Sequence, residues 1–312
     1  MRHVDSLLRL SAQEVEEIFR ISADLKTKWN QGARPRLLDG RVMTLLFEKP
    51  SLRTRISFES AIAHLGGSSI FLTCAEAGLN GREALPDVAR VLGGYSDWIV
   101  MRTFSHRLVA DFVKHGQCPI INGLSDQGHP CQALADLFTI REVYGNLKGR
   151  TLTFVGDGNN VARSLAAGAA LLGMPFIISS PLGYELSQEF MAQLRTRVPT
   201  ADMTMTPDPQ AAVARADIVY TDVWASMGQE AEQEKRKTVF APYQVNARLM
   251  SAAPKSARFM HCLPARRGME VTDEVLDGPN SIVFDQAENR MHVAKGILIW
   301  SLGSDPVHST SE

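Results

Sequence analysis

Short apolar runs alternate with amphipathic segments through the first half of the chain. Four runs have the length and the β-branched or aromatic content of buried strands: residues 41–47, 68–72, 97–101 and 118–122. Between these runs, apolar positions recur at helical spacing and predict helices near 52–65, 84–93 and 106–115. Strands separated by helices of this length predict parallel βαβ units with right-handed crossovers.

Two further helices frame this half. Ser11 and Glu14 form a capping box, which predicts a helix that runs to about Asn30. A long helix is predicted over residues 130–145, where a glycine ends it.

The same alternation restarts after the Lys-Gly-Arg sequence at residues 148–150. The predicted strands are 151–158 (a strand with its turn), 176–180, 202–205, 217–223, 257–263 and 281–286. The predicted helices are 160–172, 185–196 and one near 242–252. The pattern therefore predicts an α/β protein with two doubly wound parallel-sheet domains. In such sheets, ligands bind beyond the carboxyl ends of the strands.

Composition narrows the class of partner. The 312 residues exceed the usual one-domain range of about 100–200 residues, which agrees with two domains. The formal net charge is −1 and the basic residues do not cluster, so a small substrate is favoured over a nucleic acid. The four cysteines lie far apart and are expected to be reduced thiols. Because the N-terminus lacks an apolar signal core and no apolar run approaches roughly 20 residues, we expect a cytoplasmic protein without a membrane partner.

Several common enzyme motifs fail in this sequence. The glycine-rich turn at 155–161 has Gly156 and Gly158, but Val161 stands where a dinucleotide fingerprint needs its third small residue. The chain has no GxxxxGK[ST] phosphate loop, no G-x-S-x-G nucleophile elbow and no HExxH zinc pattern. These mismatches disfavour nicotinamide, nucleotide-hydrolysing, α/β-hydrolase and zinc-protease chemistry.

The segment PSLRTR at 50–55 places Arg53 and Arg55 in the first turn of a predicted helix. The helix dipole makes cations unfavourable there. With Ser51 as N-cap, the exposed N–H groups, Arg53 and the Thr54 hydroxyl can form a cradle for a dianion such as phosphate. The alternative is a surface helix start with solvated arginines.

Other polar residues follow predicted strands. In the first half, Arg102 ends an apolar strand, and His129 and Gln132 begin the helix after another. Arg290 follows the predicted strand 281–286 and would lie at a helix start. In the second half, the candidates at strand ends are Asn160, Asp222 and Cys262, with Met227 in a turn-rich loop. Cys262 can be a nucleophile, a proton carrier or an inert buried thiol.

Taken together and in order, these pieces resemble the aspartate/ornithine carbamoyltransferase family. The matching pieces are PSLRTR, the strand end at Arg102, HPCQ, GDGNN, D-x-x-x-SMGQE, HCLP and AENR, which span residues 47–295. The resemblance implies a carbamoyl phosphate-binding domain, 1–147, completed by a C-terminal helix, 288–312, that crosses back to it. It also implies an ornithine-binding domain, 148–287, and homotrimers or multiples of trimers with active sites between subunits.

The resemblance also assigns residues to the two substrates. For carbamoyl phosphate it implies Ser51, Leu52 through its backbone N–H, Arg53, Thr54, Arg102, His129, Gln132, Cys262, Leu263 and Arg290. For ornithine it implies Asn160, Asp222, Ser226 and Met227. Cys262, Asp222, Arg102 and His129 would be catalytic. Arg55 would be structural, and a helical wheel sets it in line with Phe58 and Ile62.

The implied reaction transfers the carbamoyl group to the δ-amine of L-ornithine and releases L-citrulline and phosphate, with no metal or organic cofactor. HCLP and the SMG loop separate the chain from the aspartate branch, and GDGNN with SMG from the N-acetylornithine branch. Putrescine is the nearest rival acceptor, and a ligand-binding homologue without turnover is the other alternative.

One residue departs from the family's S-T-R-T-R, since Leu52 replaces a phosphate-binding hydroxyl. Arg82 is a further candidate, as a residue that reaches the active site of a neighbouring subunit.

Overall fold

The computed structural model describes residues 1–225 and 232–303. Their contacts divide the chain into two compact units, residues 1–135 with the residues from 288 onward, and residues 136–287. Two helices, α5 (Pro130–Tyr144) and α12 (Val283–Ser301), begin in one unit and continue into the other.

The first unit contains a four-stranded parallel sheet. Its strands are β1 (Val42–Phe47), β2 (Ser68–Thr73), β3 (Trp98–Arg102) and β4 (Ile120–Leu124). Its other helices are α1 (Ala12–Asn30), α2 (Leu52–His64), α3 (Leu85–Tyr95) and α4 (His106–His115). All four predicted strands and the predicted helices of this half are confirmed, including the capping box between Ser11 and Glu14.

The strand order of this sheet determines where its ligand site can lie. The order is β2-β1-β3-β4, so the chain reverses its direction of winding between β1 and β3. Their register pairs Phe47 with Arg102 at the carboxyl ends. This is the topological switch point of the sheet, where the following connections diverge and leave a crevice.

The second unit contains a five-stranded parallel sheet of order β7-β6-β5-β8-β9. Its strands are β5 (Leu152–Val155), β6 (Phe176–Ser179), β7 (Met203–Thr206), β8 (Ile218–Thr221) and β9 (Arg258–His261). Its helices include α6 (Asn160–Leu171), α7 (Gln188–Arg197), α8 (Pro209–Val213), α9 (Gln233–Phe240), α10 (Ala247–Ala252) and α11 (Asp273–Leu276). The reversal of winding falls between β5 and β8. The register of the neighbouring pair matches Thr221 with His261, so the residues that follow, Asp222 and Cys262, leave the sheet side by side.

The predicted strand 281–286 is wrong. Helix α12 begins at Val283, not near residue 288, and Ser281 makes only an isolated bridge to Phe259. A short apolar run such as Ile-Val-Phe fits a buried strand and a buried helix equally well. Arg290 consequently lies inside α12, not at a helix start. Most of α12 belongs to the first unit, where Asn289 accepts a hydrogen bond from Lys26 of α1 at 2.8 Å.

Two further differences concern short helices. The helix predicted near 242–252 is a 3-10 turn at Ala241–Tyr243 followed by α10. Helices α8, α9 and α11 have eight residues or fewer and are not predicted from the sequence. A segment this short contains too few turns for its apolar residues to show helical spacing. Within the described ranges, none of the helices combines the length and apolar character needed to cross a bilayer.

Candidate active site

Helix α2 begins directly after β1, at the switch point of the first sheet. Ser51 is its N-cap and accepts a hydrogen bond from the Thr54 N–H at 3.2 Å. The N–H groups of a first helical turn have no acceptor in a preceding turn, and the helix dipole adds positive potential there. The start of α2 is therefore suited to an anion.

Thr54 connects two arginines that are distant in sequence. Its buried hydroxyl oxygen accepts hydrogen bonds from Nη2 of Arg290 at 3.0 Å and from Nη1 of Arg102 at 3.5 Å. Nη1 of Arg290 also donates to Oε1 of Gln132. Gly123 makes this arrangement possible, because a Cβ there would lie 3.1 Å from the Thr54 methyl group and 3.0 Å from the Met101 carbonyl oxygen. The structure thus brings Thr54, Arg102, Gln132 and Arg290 together.

His129 lies in the same cluster, immediately before α5. Burial lowers the pKa of its imidazole well below the usual value, and the nearby guanidinium groups of Arg290 and Arg102 lower it further. The ring is therefore neutral at pH 7. Its Nε2 lies 3.5 Å from Nη1 of Arg290. Because a guanidinium can only donate, Nε2 is the accepting nitrogen and Nδ1 carries the hydrogen.

Lys49 is a residue of this cluster that the sequence patterns did not single out. It is half-buried, and burial and the charge of Arg102 lower the pKa of its ammonium group. Lys49 and Arg53 also contribute to the depressed pKa of His129. The feature of the sequence that could have identified Lys49 is its position directly before the PSLRTR segment. Together, Lys49, Arg53, Arg102 and Arg290 form what we call the cationic cluster of the first unit.

The remaining residues of the segment point elsewhere. Arg55 is exposed, pairs with Glu59 at 3.1 Å and lies 4.0 Å above the Phe71 ring. Although it is at helical spacing from the buried Phe58 and Ile62, Arg55 lies in the first turn of α2 and is exposed. Leu52 is 72% exposed, so its side chain contributes nothing to the core.

The second unit presents a thiol–carboxylate pair. Asp222 and Cys262 are both buried, and the Cys262 thiol donates to Oδ1 of Asp222 with an Sγ–O distance of 3.0 Å. Burial and the negative charge of Asp222 raise the pKa of Cys262 well above the usual value of a thiol. Cys262 is therefore a neutral hydrogen-bond donor at pH 7 and not a thiolate nucleophile.

The GDGNN turn adds Asn159 to this pair. Nδ2 of Asn159 donates to Oδ2 of Asp222 at 2.9 Å, while its Oδ1 caps α6 by accepting from the Val161 and Ala162 N–H groups. The sequence predicts Asn160 for this region, and Asn160 is the first residue of α6. The glycine at 158 is required for packing, since a Cβ there would lie 2.4 Å from the backbone of Glu185. Close packing of backbone, not a dinucleotide, accounts for this glycine.

Two predicted ornithine residues, Ser226 and Met227, lie outside the described residues. Leu263, by contrast, is well placed after β9. Its φ of 57° is in the left-handed region that leucine rarely adopts, and its N–H donates to Nδ1 of His261 at 2.8 Å. This bond turns the backbone immediately after Cys262.

Comparison with known proteins identifies the family of both units. Residues 2–142 match the family description "Aspartate/ornithine carbamoyltransferase, carbamoyl-P binding domain". Residues 148–301 match "Aspartate/ornithine carbamoyltransferase, Asp/Orn binding domain". The chain belongs to the aspartate/ornithine carbamoyltransferase family.

Within this carbamoyltransferase family, the chain is similar to several proteins named ornithine carbamoyltransferase. It is 48% identical over 295 residues to the protein of Bacillus subtilis, with 94% of this chain and 91% of the relative covered. The solved structure of ornithine carbamoyltransferase from Pyrococcus furiosus superposes with a TM-score of 0.94 at 45% identity, covering 97% of each chain. That from Thermus thermophilus gives a TM-score of 0.85 at 39% identity, covering 96% of this chain and 98% of the other.

One group of side chains in this carbamoyltransferase has the composition of a metal site. Ligand atoms of Asp222, His261 and Cys262 all lie within 4.8 Å of one another. However, Nδ1 of His261 accepts from the Leu263 N–H, and Nε2 lies 3.3 Å from Oε1 of the buried Glu270. Because both imidazole nitrogens are engaged, these residues do not form a preorganised metal site.

Proposed function

We propose that this protein transfers the carbamoyl group of carbamoyl phosphate to the δ-amine of L-ornithine, giving L-citrulline and phosphate. The observation that carries the proposal is the pairing of two sites in one chain of this family. The first unit has the cationic cluster at a helix start, and the second has a neutral thiol bonded to a carboxylate. The match to the Bacillus subtilis protein named ornithine carbamoyltransferase supports ornithine as the acceptor.

The first unit, with the C-terminal helix, is assigned to carbamoyl phosphate, and we keep the predicted domain limits of 1–147 with 288–312 and of 148–287. The phosphate accepts hydrogen bonds at the start of α2, where donors and helix dipole act in the same direction. Its ligands are the Ser51 and Thr54 hydroxyls, the Leu52 N–H and the guanidinium groups of Arg53 and Arg102. A dianion there also offsets the mutual repulsion of the cationic cluster.

The carbamoyl group is assigned to the residues around Arg290. The neutral His129 can donate from Nδ1, and Arg102 adds positive charge, so both stabilise a carbonyl oxygen that gains charge. Gln132 and Arg290 are held in one arrangement by the bond between them. Cys262 and Leu263 are also assigned to the carbamoyl group, as the family resemblance implies.

The second unit is assigned to ornithine. Asp222 is the acceptor for the proton that the δ-ammonium group must lose before it can attack. Asn160, Ser226 and Met227 are assigned to the rest of the amino acid. Asn159 holds one oxygen of Asp222 and Cys262 holds the other, so the carboxylate has a defined orientation.

The reaction balances without another reactant. The ornithine nitrogen forms a bond to the carbonyl carbon, and the bond from that carbon to the phosphate oxygen breaks. One ammonium proton goes to Asp222, and the second proton of the attacking nitrogen goes to the departing phosphate, which leaves as hydrogen phosphate into a site already lined by cations. No redox step or electrophilic cofactor is needed, because carbamoyl phosphate is itself an activated acyl donor.

The test is citrulline formation from carbamoyl phosphate. The purified protein is offered ornithine, putrescine, N-acetylornithine and aspartate in separate reactions, and each carbamoylated product is measured. We expect turnover with ornithine and at most trace turnover with the other amines. Product with putrescine alone would contradict the acceptor assignment, and no product with any amine would contradict the enzyme assignment.

We also propose a cytoplasmic homotrimer or a multiple of trimers. Large apolar side chains are exposed on the first unit, including Ile70 on β2 and Val91 and Tyr95 on α3, with Tyr95 76% exposed. Exposed apolar groups of this size are typical of surfaces that a partner covers. Arg82 is assigned to the neighbouring subunit's site. Sedimentation velocity tests the assembly, and a monomer at micromolar concentration would contradict it.

A further inference from the structure

A hydrogen-bonded network of three side chains lies beside the end of β9. The Tyr220 hydroxyl donates to Oδ2 of Asp136 at 3.0 Å, and Nε2 of Gln286 donates to Oδ1 of Asp136 at 2.7 Å and to the Tyr220 oxygen at 3.1 Å. Oε1 of Gln286 accepts from the His261 N–H at 3.0 Å. All three side chains are fully buried. Because a backbone N–H can only donate, the amide oxygen of Gln286 faces His261, and the orientation of the amide is fixed.

The contact with His261 satisfies an edge of the second sheet. Strand β9 is the last strand in the order of its sheet, so the N–H groups on its outer side have no neighbouring strand to bond. The Phe259 N–H donates instead to the Asn280 carbonyl oxygen at 2.9 Å, and the His261 N–H donates to Gln286. Because β9 ends at His261, Gln286 holds the last outward N–H of the strand, one residue before Cys262.

We propose that Gln286 is a positioning residue for the carbamoyl transfer, because it fixes the end of β9 and thereby the distance between the Cys262 thiol and Asp222. This inference rests on the proposed function. Asn159 holds the other oxygen of Asp222, so the 3.0 Å contact between Sγ of Cys262 and Oδ1 of Asp222 depends on where β9 ends. A shift of about 1 Å in a group of the active site can lower the rate by about a hundred-fold.

Asp136 and Tyr220 hold the amide of Gln286 in place. Both oxygens of Asp136 accept hydrogen bonds, one from the amide and one from the Tyr220 hydroxyl. Without the amide, the His261 N–H would be a buried donor without an acceptor, and such a group is costly. The end of β9 would then move to find another partner. Gln286 therefore acts on the reaction through the backbone, without touching the substrate.

The test compares two variants of Gln286. Gln286→Met keeps the length of the side chain but loses the amide, so we expect kcat to fall at least about ten-fold. The KM for carbamoyl phosphate should stay within about two-fold of the parent, because the phosphate is assigned to the first unit. Gln286→Glu keeps an oxygen for the His261 N–H. Its carboxyl group would share one proton with Asp136, since two buried carboxylates in contact do not both ionise, and this proton replaces the amide hydrogen. We expect Gln286→Glu to retain most of the parental kcat at about pH 7.

A second measurement does not need turnover. Burial and the negative charge of Asp222 raise the pKa of Cys262, so a thiol displaced from this carboxylate should be alkylated faster at about pH 8. We expect faster alkylation of Cys262 in Gln286→Met and the parental rate in Gln286→Glu, both measured by peptide mass mapping. If the parent makes no citrulline, the proposed function fails while alkylation still tests the link between Gln286 and Cys262.

The matched control is Gln244→Met. Its amide, in the same unit, donates to the carbonyl oxygens of Gly268 at 3.0 Å and Met269 at 2.9 Å, so its removal reports the cost of losing a glutamine amide elsewhere. Equal kcat values in the two methionine variants, or in Gln286→Met and Gln286→Glu, would overturn the proposal, and so would the parental rate of alkylation in Gln286→Met. Should Gln286→Met fail to fold, Gln286→Asn, which retains the amide but is one methylene shorter, replaces it with the same expectations.

Discussion

The Sγ atom of Cys262 lies 3.0 Å from Oδ1 of Asp222, and the thiol is the donor. Parallel register produces this contact. Strands β8 and β9 pair Thr221 with His261, so the next residue after each strand, Asp222 or Cys262, lies beside the other. Of the three roles open to Cys262 from its sequence, the raised pKa disfavours the thiolate nucleophile. The contact with Asp222 favours a part in handling the proton.

The first prediction concerns the charge of Asp222. In Asp222→Asn the proton acceptor is lost, so kcat for citrulline formation is expected to fall at least about a hundred-fold. The same change removes the negative charge that raises the pKa of Cys262, so Cys262 is expected to be alkylated faster at about pH 8. Asp208→Asn is the control, since asparagine keeps the N-cap of α8 and both quantities should stay at parental values. Slower alkylation of Asp222→Asn would contradict the pairing.

The second prediction separates two neighbouring arginines. Arg53→Gln removes a cation assigned to the phosphate, so KM for carbamoyl phosphate is expected to rise by about ten- to a hundred-fold, the usual range for one charged hydrogen bond. Arg55→Gln removes an exposed pair with Glu59, which contributes at most about 1 kcal/mol to folding, and a contact with the Phe71 ring. Its KM should equal that of the parent. Equal increases in the two variants would show that general surface charge, not a specific contact, binds the phosphate.

The third prediction concerns Leu52. Leu52→Thr adds a hydroxyl at the start of α2, and binding of carbamoyl phosphate is expected to tighten by at most about 1.5–3 kcal/mol. The leucine is 72% exposed, so folding should be little affected. Leu52→Ala is the control and should leave the affinity unchanged. Calorimetric titration measures both, and identical affinities of the threonine and alanine variants would mean that the hydroxyl is irrelevant.

The fourth prediction is a loss of stability in acid. His292 is fully buried, and burial lowers its pKa to about 4 from the ordinary value of 6.5. Between these values the unfolded chain binds a proton that the folded protein does not, so the free energy of unfolding falls as the pH falls from 6.5 to about 4. Urea unfolding of His292→Gln should show a shallower dependence on pH in this window. A slope identical to that of the parent would contradict the assigned pKa.

Much of the fold was readable from the sequence, because apolar periodicity reflects burial directly. The nine strands and the long helices follow from it. The segment 281–286 was misread because six residues contain too few turns to distinguish a helix from a strand. For the same reason the sequence predicts Arg290 at a helix start, whereas it lies in the interior of α12.

Side-chain direction was harder to predict than element type. Asn159 and Asn160 are adjacent and chemically identical, and only the backbone turn after β5 decides that Asn159 reaches Asp222. For Arg55, the helical spacing of four residues places Glu59 within reach, and the two side chains pair at 3.1 Å.

The order of residues along the chain is enough to give the elements, their parallel winding and the residue types available at the strand ends. These depend on local spacing, which is encoded along the chain. Only in the folded chain does Thr54 meet Arg102 and Arg290, and Tyr220 meet Asp136 and Gln286. Such contacts join residues separated by tens to hundreds of positions, and they arise because strand order, register and helix packing bring distant strand ends to one edge of a sheet.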